Sequence, residues 1–423
     1  MMLGGVIMPR AVYFSVDLHG HVNPTLGLIK SLVDRGVEIY YYSCEKFRHR
    51  IEDTGAIFRS YEGLLGFGTY DGHGLDTFLV FADFILSKSQ IIVTHFMEEI
   101  RDLEPNYIIH DSFCHWGKVF AELLGVPGIS VIANFPYIDE MADIDPTFFM
   151  QHVVRASDDP ICRRFNNPKE IYSNLMHKLA RIIEHKYGMQ EINIINDVFC
   201  SKEELNILFT SRCFQLHADA FSDQYLFAGY SIYPRVEHVD FPYEKLDPNK
   251  PLIYIAFGTI YNELLHIYKS CFEAFKNSEQ QVVLSVGDKI DLNDLGEIPN
   301  HFIVRSYVPQ LEILKRSSVF ISHGGANSIY ESICFHVPLV VVPQVFDEFM
   351  GAMMVEEAGA GIYIRNREAD EVQLREGVKR ILNDSQYKLN CKRIHESFVD
   401  TGGIANAVDE IINYTSKFSI ISQ

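Results

Sequence analysis

The chain is short of positive charge. Its 423 residues carry 37 Lys and Arg against 56 Asp and Glu, a formal charge of −19. That balance argues against nucleic acid or an anionic membrane surface as the main partner, although a few local donors suffice to hold one diphosphate. None of the eight cysteines, scattered from Cys44 to Cys391, sits in a CxxC or pairs with a histidine at zinc-finger spacing. They read as small core residues in a reducing compartment. No uninterrupted apolar run approaches the roughly 18 to 20 residues that span a bilayer. The opening stretch, MMLGGVIMPRAVYFSVD, lacks the basic region and cleavage site of a signal peptide. A cytoplasmic protein without stable membrane insertion is the expectation. Three nucleotide and hydrolase signatures are missing as well: no GxxxxGK[ST] phosphate loop, no GxGxxG opening the first helix and no GxSxG elbow.

What is present is a rhythm of strands and helices, in a chain long enough to need two cores. RAVYFSV reads as a buried strand and NPTLGLIKSLVDRG as a helix, with Pro24 in its first turn and Gly36 past its end. VEIYYYS, EKFRHRIEDTG and AIFRSY continue as strand, helix and strand, and NYIIHD, WGKVFAELLG and VPGISVIAN repeat the pattern. Residues 61–100 and 135–200 interrupt it with aromatic and polar stretches, which read as insertions that carry binding. YPRVEHVDFPYEKLDPNK, with three prolines, reads as a linker. Beyond it PLIYIAF, QVVLSVG, HFIVRSYV, SVFIS and PLVVVP alternate with helical stretches. The sequence predicts an α/β protein of two doubly wound, Rossmann-like domains facing across a cleft. The boundaries are 1–230, a linker at 231–249, a second domain at 250–402 and a final helix at 403–423 that returns to the first domain.

Chemistry-bearing residues gather where strands end. In ISHGGANSIYES, Ser328 and Glu331 have the spacing of a capping box, and Gly324 and Gly325 supply a tight turn. Those roles leave His323 and Asn327 unexplained, at a strand-to-helix junction suited to a phosphate. His21, in DLHGHVNP, is placed to act as a general base. It could instead be a structural histidine, or pair with His19 as an HxH metal site. The metal site would need further ligands and an eightfold barrel, which the linker argues against. Asp111, in IIHDSFCHWG, also follows a strand and could fix the tautomer of a histidine, or merely cap a helix. AFGTI offers Gly258 and Thr259, SYVPQ sets Tyr307 beside Pro309 and Gln310 as a stacking surface, and VPQVFDEF puts Asp347 and Glu348 where carboxylates meet sugar hydroxyls. The DID at 143–145 has the form of a metal-binding DxD but follows no apolar strand, so no metal is expected.

Taken together, HGHVNPTLGL, HDSFCHWGKVFAELLGVP, IAFGT, YVPQLEIL, SHGGANSIYES, VPLVVVPQ and VEEAGAG resemble the family 1 UDP-glycosyltransferases of the GT-B fold, and most closely their bacterial macrolide branch. The resemblance covers nearly the whole chain and is most specific over residues 307–361. It implies that His21 is the base and Asp111 its partner, and that the second domain holds the donor. His323 would contact the diphosphate, with Gly325, Asn327 and Ser328 at the helix end that holds phosphate. Glu331 would bind the ribose hydroxyls, and Tyr307 would stack on uracil. Gly258, Thr259, Val308, Gln310, Asp347 and Glu348 would complete the donor site. Where the family often has Asp-Gln and then Asn-Ala, this chain has Asp347-Glu348 and Gly351-Ala352, so a charge replaces an amide donor.

The implied reaction is an inverting, metal-independent transfer of a hexose from a UDP-sugar to a hydroxyl of a lipophilic small molecule, such as a macrolide, polyketide or phenol, giving a β-glycoside. UDP-glucose is the expected co-substrate, with no cofactor and a monomer or homodimer as the working form. A sugar-nucleotide epimerase of the same architecture and a non-catalytic UDP-sugar binder remain as alternatives.

Overall fold

The computed structural model describes residues 8–66, 75–157, 159–235, 239–258, 262–345 and 347–421, and the side chains of all of these except 75–77 and 419–421. Two compact units emerge, one made of residues 1–233 with 398–423, the other of 234–397.

In the first unit seven parallel strands form one sheet: β1 (Arg10–Phe14), β2 (Glu38–Ser43), β3 (Ile57–Ser60), β4 (Tyr107–Asp111), β5 (Gly128–Ile132), β6 (Leu205–Leu208) and β7 (Tyr225–Phe227). Their order is β3-β2-β1-β4-β5-β6-β7. Every residue of β4 and β5 is buried, and all of β1 but Arg10. A parallel sheet covered on both faces needs such continuous apolar runs in place of alternation. The order of strands reverses between β1 and β4, and the pairing of Phe14 with His110 sets their carboxyl ends level. β6 and β7 are short strands that the sequence reading did not pick out.

Two local expectations change. The first helix spans His19–Asp34, so it begins before Pro24 rather than at it. The amides of His21 and Val22 both donate to the Leu18 carbonyl at 3.0 Å, which starts the turn early and leaves Pro24 inside the helix. Residues 61–100 are largely not an insertion, because a 28-residue helix, Leu75–Asp102, crosses from β3 to β4 and packs on the helix His115–Leu124. Phe78, Ala82, Ile85, Leu86, Ile92, Phe96 and Ile100 are its buried stripe, at helical spacing. The stretch Phe78–Asp102 also has the length and mean hydropathy, 1.3, of a membrane-crossing helix, with 33% of that window buried. Asp83 and Lys88 interrupt the run, which hid both its helical period and its hydropathy from the sequence reading. Finally, Asp145 of the DID is a helix cap, accepting from the Phe148 amide at 3.0 Å.

The C-terminal helix Gly403–Ile421 belongs to this first unit and packs on His19–Asp34, where Arg35 and Asp409 pair at 2.7 Å.

The second unit holds six parallel strands: β8 (Leu252–Ala256), β9 (Gln281–Ser285), β10 (Phe302–Arg305), β11 (Val319–Ser322), β12 (Leu339–Val341) and β13 (Gly361–Tyr363). The order β10-β9-β8-β11-β12-β13 is that of a dinucleotide-binding sheet. Ile253, Ile255, Val282, Leu284, Val319 and Ile321 form one side of its core, against the helices Leu265–Phe275 and Glu371–Asn383. Its switch point lies between β8 and β11, where Ala256 pairs with Ser322. A parallel sheet of this kind takes its ligand at that crevice, beyond the carboxyl ends of the strands.

Candidate active site

At the switch point of the first sheet, β1 leads into the helix carrying His21 while the adjacent β4 ends on Asp111. Nδ1 of His21 lies 2.7 Å from Oδ2 of Asp111. The other carboxylate oxygen accepts from the Phe113 amide at 2.9 Å. A carboxylate can only accept, so Nδ1 donates and Nε2 is left with its lone pair, the arrangement a general base requires. Asp111 is fully buried and His21 is 6% exposed, which fixes the pair in one geometry. The helix-cap alternative for Asp111 does not hold: the N-cap of the helix His115–Leu124 is Cys114, with no capping side chain.

A cluster of mostly buried aromatic rings packs beside this pair. The His21 ring lies 5.0 Å from Phe113, Phe113 lies 5.1 Å from Phe81, and Phe81 stacks on Phe199 at 5.5 Å. Phe78 meets Phe199 edge-on at 4.7 Å. His19 turns edge-on to Phe47 at 4.8 Å. Among the described residues no group of three or more His, Cys, Asp or Glu side chains is arranged to hold a metal ion.

In the second unit His323 follows β11 and lies beside Gly258, which follows β8. A β-carbon on Gly258 would come within 2.7 Å of the His323 Nε2, and one on Gly325 within 2.5 Å. Gly258 also has φ +77°, a conformation that favours glycine. Both positions are therefore glycine so that the ring can sit between them. The surrounding protein pushes the His323 pKa down to about 4, a hydrogen bond to the Ala256 backbone pulling weakly the other way. The ring is neutral at physiological pH and offers a hydrogen bond, not a positive charge.

The next helix runs Ala326–Cys334 with Gly325 as its N-cap, a residue with no capping side chain. The capping box expected from Ser328 and Glu331 does not form. Because the helix starts at Ala326, Ser328 already lies in its first turn and Glu331 one turn further in. A capping box does form in this unit, between Asp370 and Gln373. The first-turn amides beside half-buried Asn327 and Ser328 are thus suited to an anion.

Glu331 is 1% exposed. Its Oε1 accepts from Arg235 Nη1 at 2.6 Å, and its Oε2 from Arg235 Nη2 at 3.1 Å and from Gln310 Nε2 at 2.8 Å. The Gln310 amide oxygen in turn accepts from the Tyr254 hydroxyl at 3.0 Å. Gln310 therefore positions a carboxylate. Arg235 escaped the sequence reading because it sits in the stretch taken as a linker, where its only signal is being the one arginine between Arg212 and Arg305.

Tyr307, two residues past β10, is 46% exposed, whereas Val308 is 1% exposed and offers only backbone groups. Thr259 lies outside the described residues. Asp347 is the N-cap of the helix Glu348–Glu357. Glu348 turns back on its own loop, its Oε2 accepting from the amides of Gln344 at 2.7 Å and Val345 at 3.0 Å. Burial pushes its pKa up to about 8, those two amides pulling against it.

Two parallel-sheet α/β units, each with polar residues gathered at its switch point, make up a GT-B protein. A family model described as the C-terminal domain of erythromycin biosynthesis protein CIII-like proteins matches residues 270–412. The chain is 35% identical over 396 residues to an uncharacterized UDP-glucosyltransferase, YojK, of Bacillus subtilis (strain 168), covering 93% of this chain and 94% of that one. It is 26% identical over 411 residues to the oleandomycin glycosyltransferase of Streptomyces antibioticus, covering 94% and 89%. Among solved structures, the glycotransferase of kitacinnamycin shares the fold with a TM-score of 0.76 at 22% identity, over 96% of this chain and 98% of that one. The chain belongs to the family 1 glycosyltransferases, in their bacterial macrolide branch. It is a glycosyltransferase.

Proposed function

We propose that the protein transfers a hexose from a UDP-sugar to a hydroxyl group of a lipophilic acceptor, with inversion at the anomeric carbon. The observation that carries this reading is the buried His21–Asp111 pair, whose 2.7 Å contact leaves Nε2 of the histidine as a proton acceptor. In the proposed step Nε2 takes the proton from the acceptor hydroxyl as that oxygen bonds to the anomeric carbon. The bond from that carbon to the diphosphate breaks, its electron pair leaving on the phosphate oxygen. One displacement from an α-linked donor gives a β-glycoside. Asp111 stabilises the imidazolium that forms.

The second unit has the donors to receive the leaving group. The amides at the start of the helix Ala326–Cys334, the Ser328 hydroxyl and the neutral His323 ring can stabilise charge growing on the diphosphate. The proposal assigns that role to protein donors, so it includes no cation. Glu331 is proposed as the ribose ligand, Tyr307 as the platform for the base, and Gly258, Gly325 and Asn327 as neighbours of the phosphates. Asp347 is retained as a sugar ligand. Glu348 acts through its loop, since its carboxylate is turned inward. A lipophilic acceptor, such as a macrolide, polyketide or phenol, is proposed from the likeness to the oleandomycin glycosyltransferase. None of the eight cysteines is in a disulfide, which supports the proposal of a reducing, cytoplasmic setting.

The test is the anomeric configuration of the product made from an α-linked UDP-glucose donor and a phenolic acceptor, read by the proton coupling across the new linkage. A β-glycoside supports the reading. An α-glycoside, or an altered UDP-sugar formed with no acceptor present, would overturn it.

A further inference from the structure

The ribose-binding role proposed for Glu331 meets an obstacle in the structure: the carboxylate is already engaged. Arg235 reaches both of its oxygens with a bidentate fork, Nη1 to Oε1 at 2.6 Å and Nη2 to Oε2 at 3.1 Å, while Gln310 holds Oε2 from a third direction. Glu331 is 1% exposed on its side chain and Arg235 only 11%, so the guanidinium covers the carboxylate from solvent. A ribose 2′,3′-diol would approach a carboxylate in the same two-pronged way, one hydroxyl to each oxygen. The carboxylate has about four acceptor sites and these donors fill three, so one hydroxyl can be accepted at Oε1 while a second must displace a donor now in place. A deoxyribose, with a hydroxyl at the 3′ position only, needs one site and can leave the others to Arg235 and Gln310.

Resting on the reading of Glu331 as the ribose ligand, we infer that Arg235 is a specificity-determining residue of the donor site, setting how strongly a ribonucleoside diphosphate is preferred over its 2′-deoxy counterpart. It does so by opposition. Full engagement of ribose requires a buried, charge-assisted pair to open, and breaking such a pair is costly. Engagement of deoxyribose can use the remaining acceptor site on Oε1 and leave the fork in place. Arg235 thereby narrows the advantage that the second hydroxyl would otherwise give to a uridine donor. Lysine cannot substitute fully, because an ammonium is a point charge without the planar fork.

The experiment is calorimetric titration of the full chain with UDP and with 2′-deoxy-UDP, in wild type, Arg235→Gln, Arg235→Lys and Glu331→Gln, each first checked for folding by circular dichroism and melting temperature. In Arg235→Gln the Kd for UDP should fall about 3- to 10-fold, the scale of one released hydrogen-bonding contact, while that for 2′-deoxy-UDP changes less than about twofold. Arg235→Lys should move in the same direction by a smaller factor, and it carries the test if the glutamine variant does not fold. Weaker UDP binding in these variants would overturn the inference, since Arg235 would then be assisting the nucleotide. Equal shifts for the two nucleotides would overturn it as well, because the effect would not pass through the diol. Glu331→Gln separates the two ideas. Loss of the discrimination between UDP and 2′-deoxy-UDP there upholds the ribose role whatever Arg235 does, and unchanged discrimination there defeats the ribose role itself and the inference with it.

Discussion

Asp111→Asn keeps the size and shape of the buried side chain and changes only what it can donate and accept. Two groups face the carboxylate: the Phe113 amide at 2.9 Å from Oδ1 and the His21 Nδ1 at 2.7 Å from Oδ2. A carboxylate accepts from both. An amide has one oxygen and one NH2, and since the Phe113 amide can only donate, the oxygen must face it and the NH2 must face His21. Nδ1 is then forced to accept, the ring proton moves to Nε2, and the nitrogen meant to take a proton already carries one. Turnover should fall about 10²- to 10⁴-fold, the range for a general base lost through its tautomer. UDP affinity should stay within about twofold, because the donor ligands belong to the other unit, and the melting temperature should hardly move, because both buried partners remain satisfied. The assay is steady-state UDP release at saturating donor and acceptor, with calorimetric UDP binding beside it. Turnover within about threefold of wild type would refute the proposed pairing of roles.

Other perturbations follow from the same geometry. Gly258→Ala puts a methyl group 2.7 Å from the His323 Nε2 at a residue with φ +77°, so UDP binding measured by calorimetry should weaken by about tenfold or more. Glu348→Gln keeps an oxygen for the Gln344 and Val345 amides while removing a carboxyl whose pKa is raised to about 8. Between the ordinary carboxylate range and pH 8 the folded wild type holds a proton that the unfolded chain has released, so its stability falls as pH rises through that window. The variant should therefore melt about 2–5 °C higher than wild type at pH 8 and close to it at pH 5. His323 has the opposite sign. With its pKa lowered to about 4, the folded chain holds fewer protons than the unfolded one between about pH 4 and 6.5, so stability rises with pH there and levels off above. In His323→Gln, thermal melting followed across pH 4–7 should lose that part of the acid limb.

Much of the fold was legible because its central strands are buried on both faces. IYIA in β8 and VFIS in β11 are unbroken buried runs, as are YIIHD in β4 and AVYF in β1, and no surface helix would bury every residue in this way. Short strands such as β6, β7 and β13 carry too few residues to announce themselves. The helix Leu75–Asp102 was obscured by charges such as Asp83 and Lys88 along its length. In the candidate site, His21, Asp111 and His323 stood out because each follows an apolar strand, a position where a polar residue has no packing duty. The state of Glu331 could not be read that way. Spacing from Ser328 suggested a local cap, and only the placement of Arg235, 96 residues away in sequence, shows that the carboxylate is satisfied from a distance. Glu348 posed a similar difficulty, since nothing local says whether a carboxylate at a helix start turns outward to a ligand or back to its own loop.

The most direct test of the account is acceptor-dependent nucleotide release from a panel of UDP- and TDP-sugars, with EDTA present, using a pool of phenolic and macrolide acceptors and comparing wild type with His21→Ala. The account predicts UDP release that requires an acceptor, persists in EDTA and drops about 10²- to 10⁴-fold without His21, while UDP still binds the variant. Release that proceeds equally well without an acceptor, or that survives intact in His21→Ala, would contradict it.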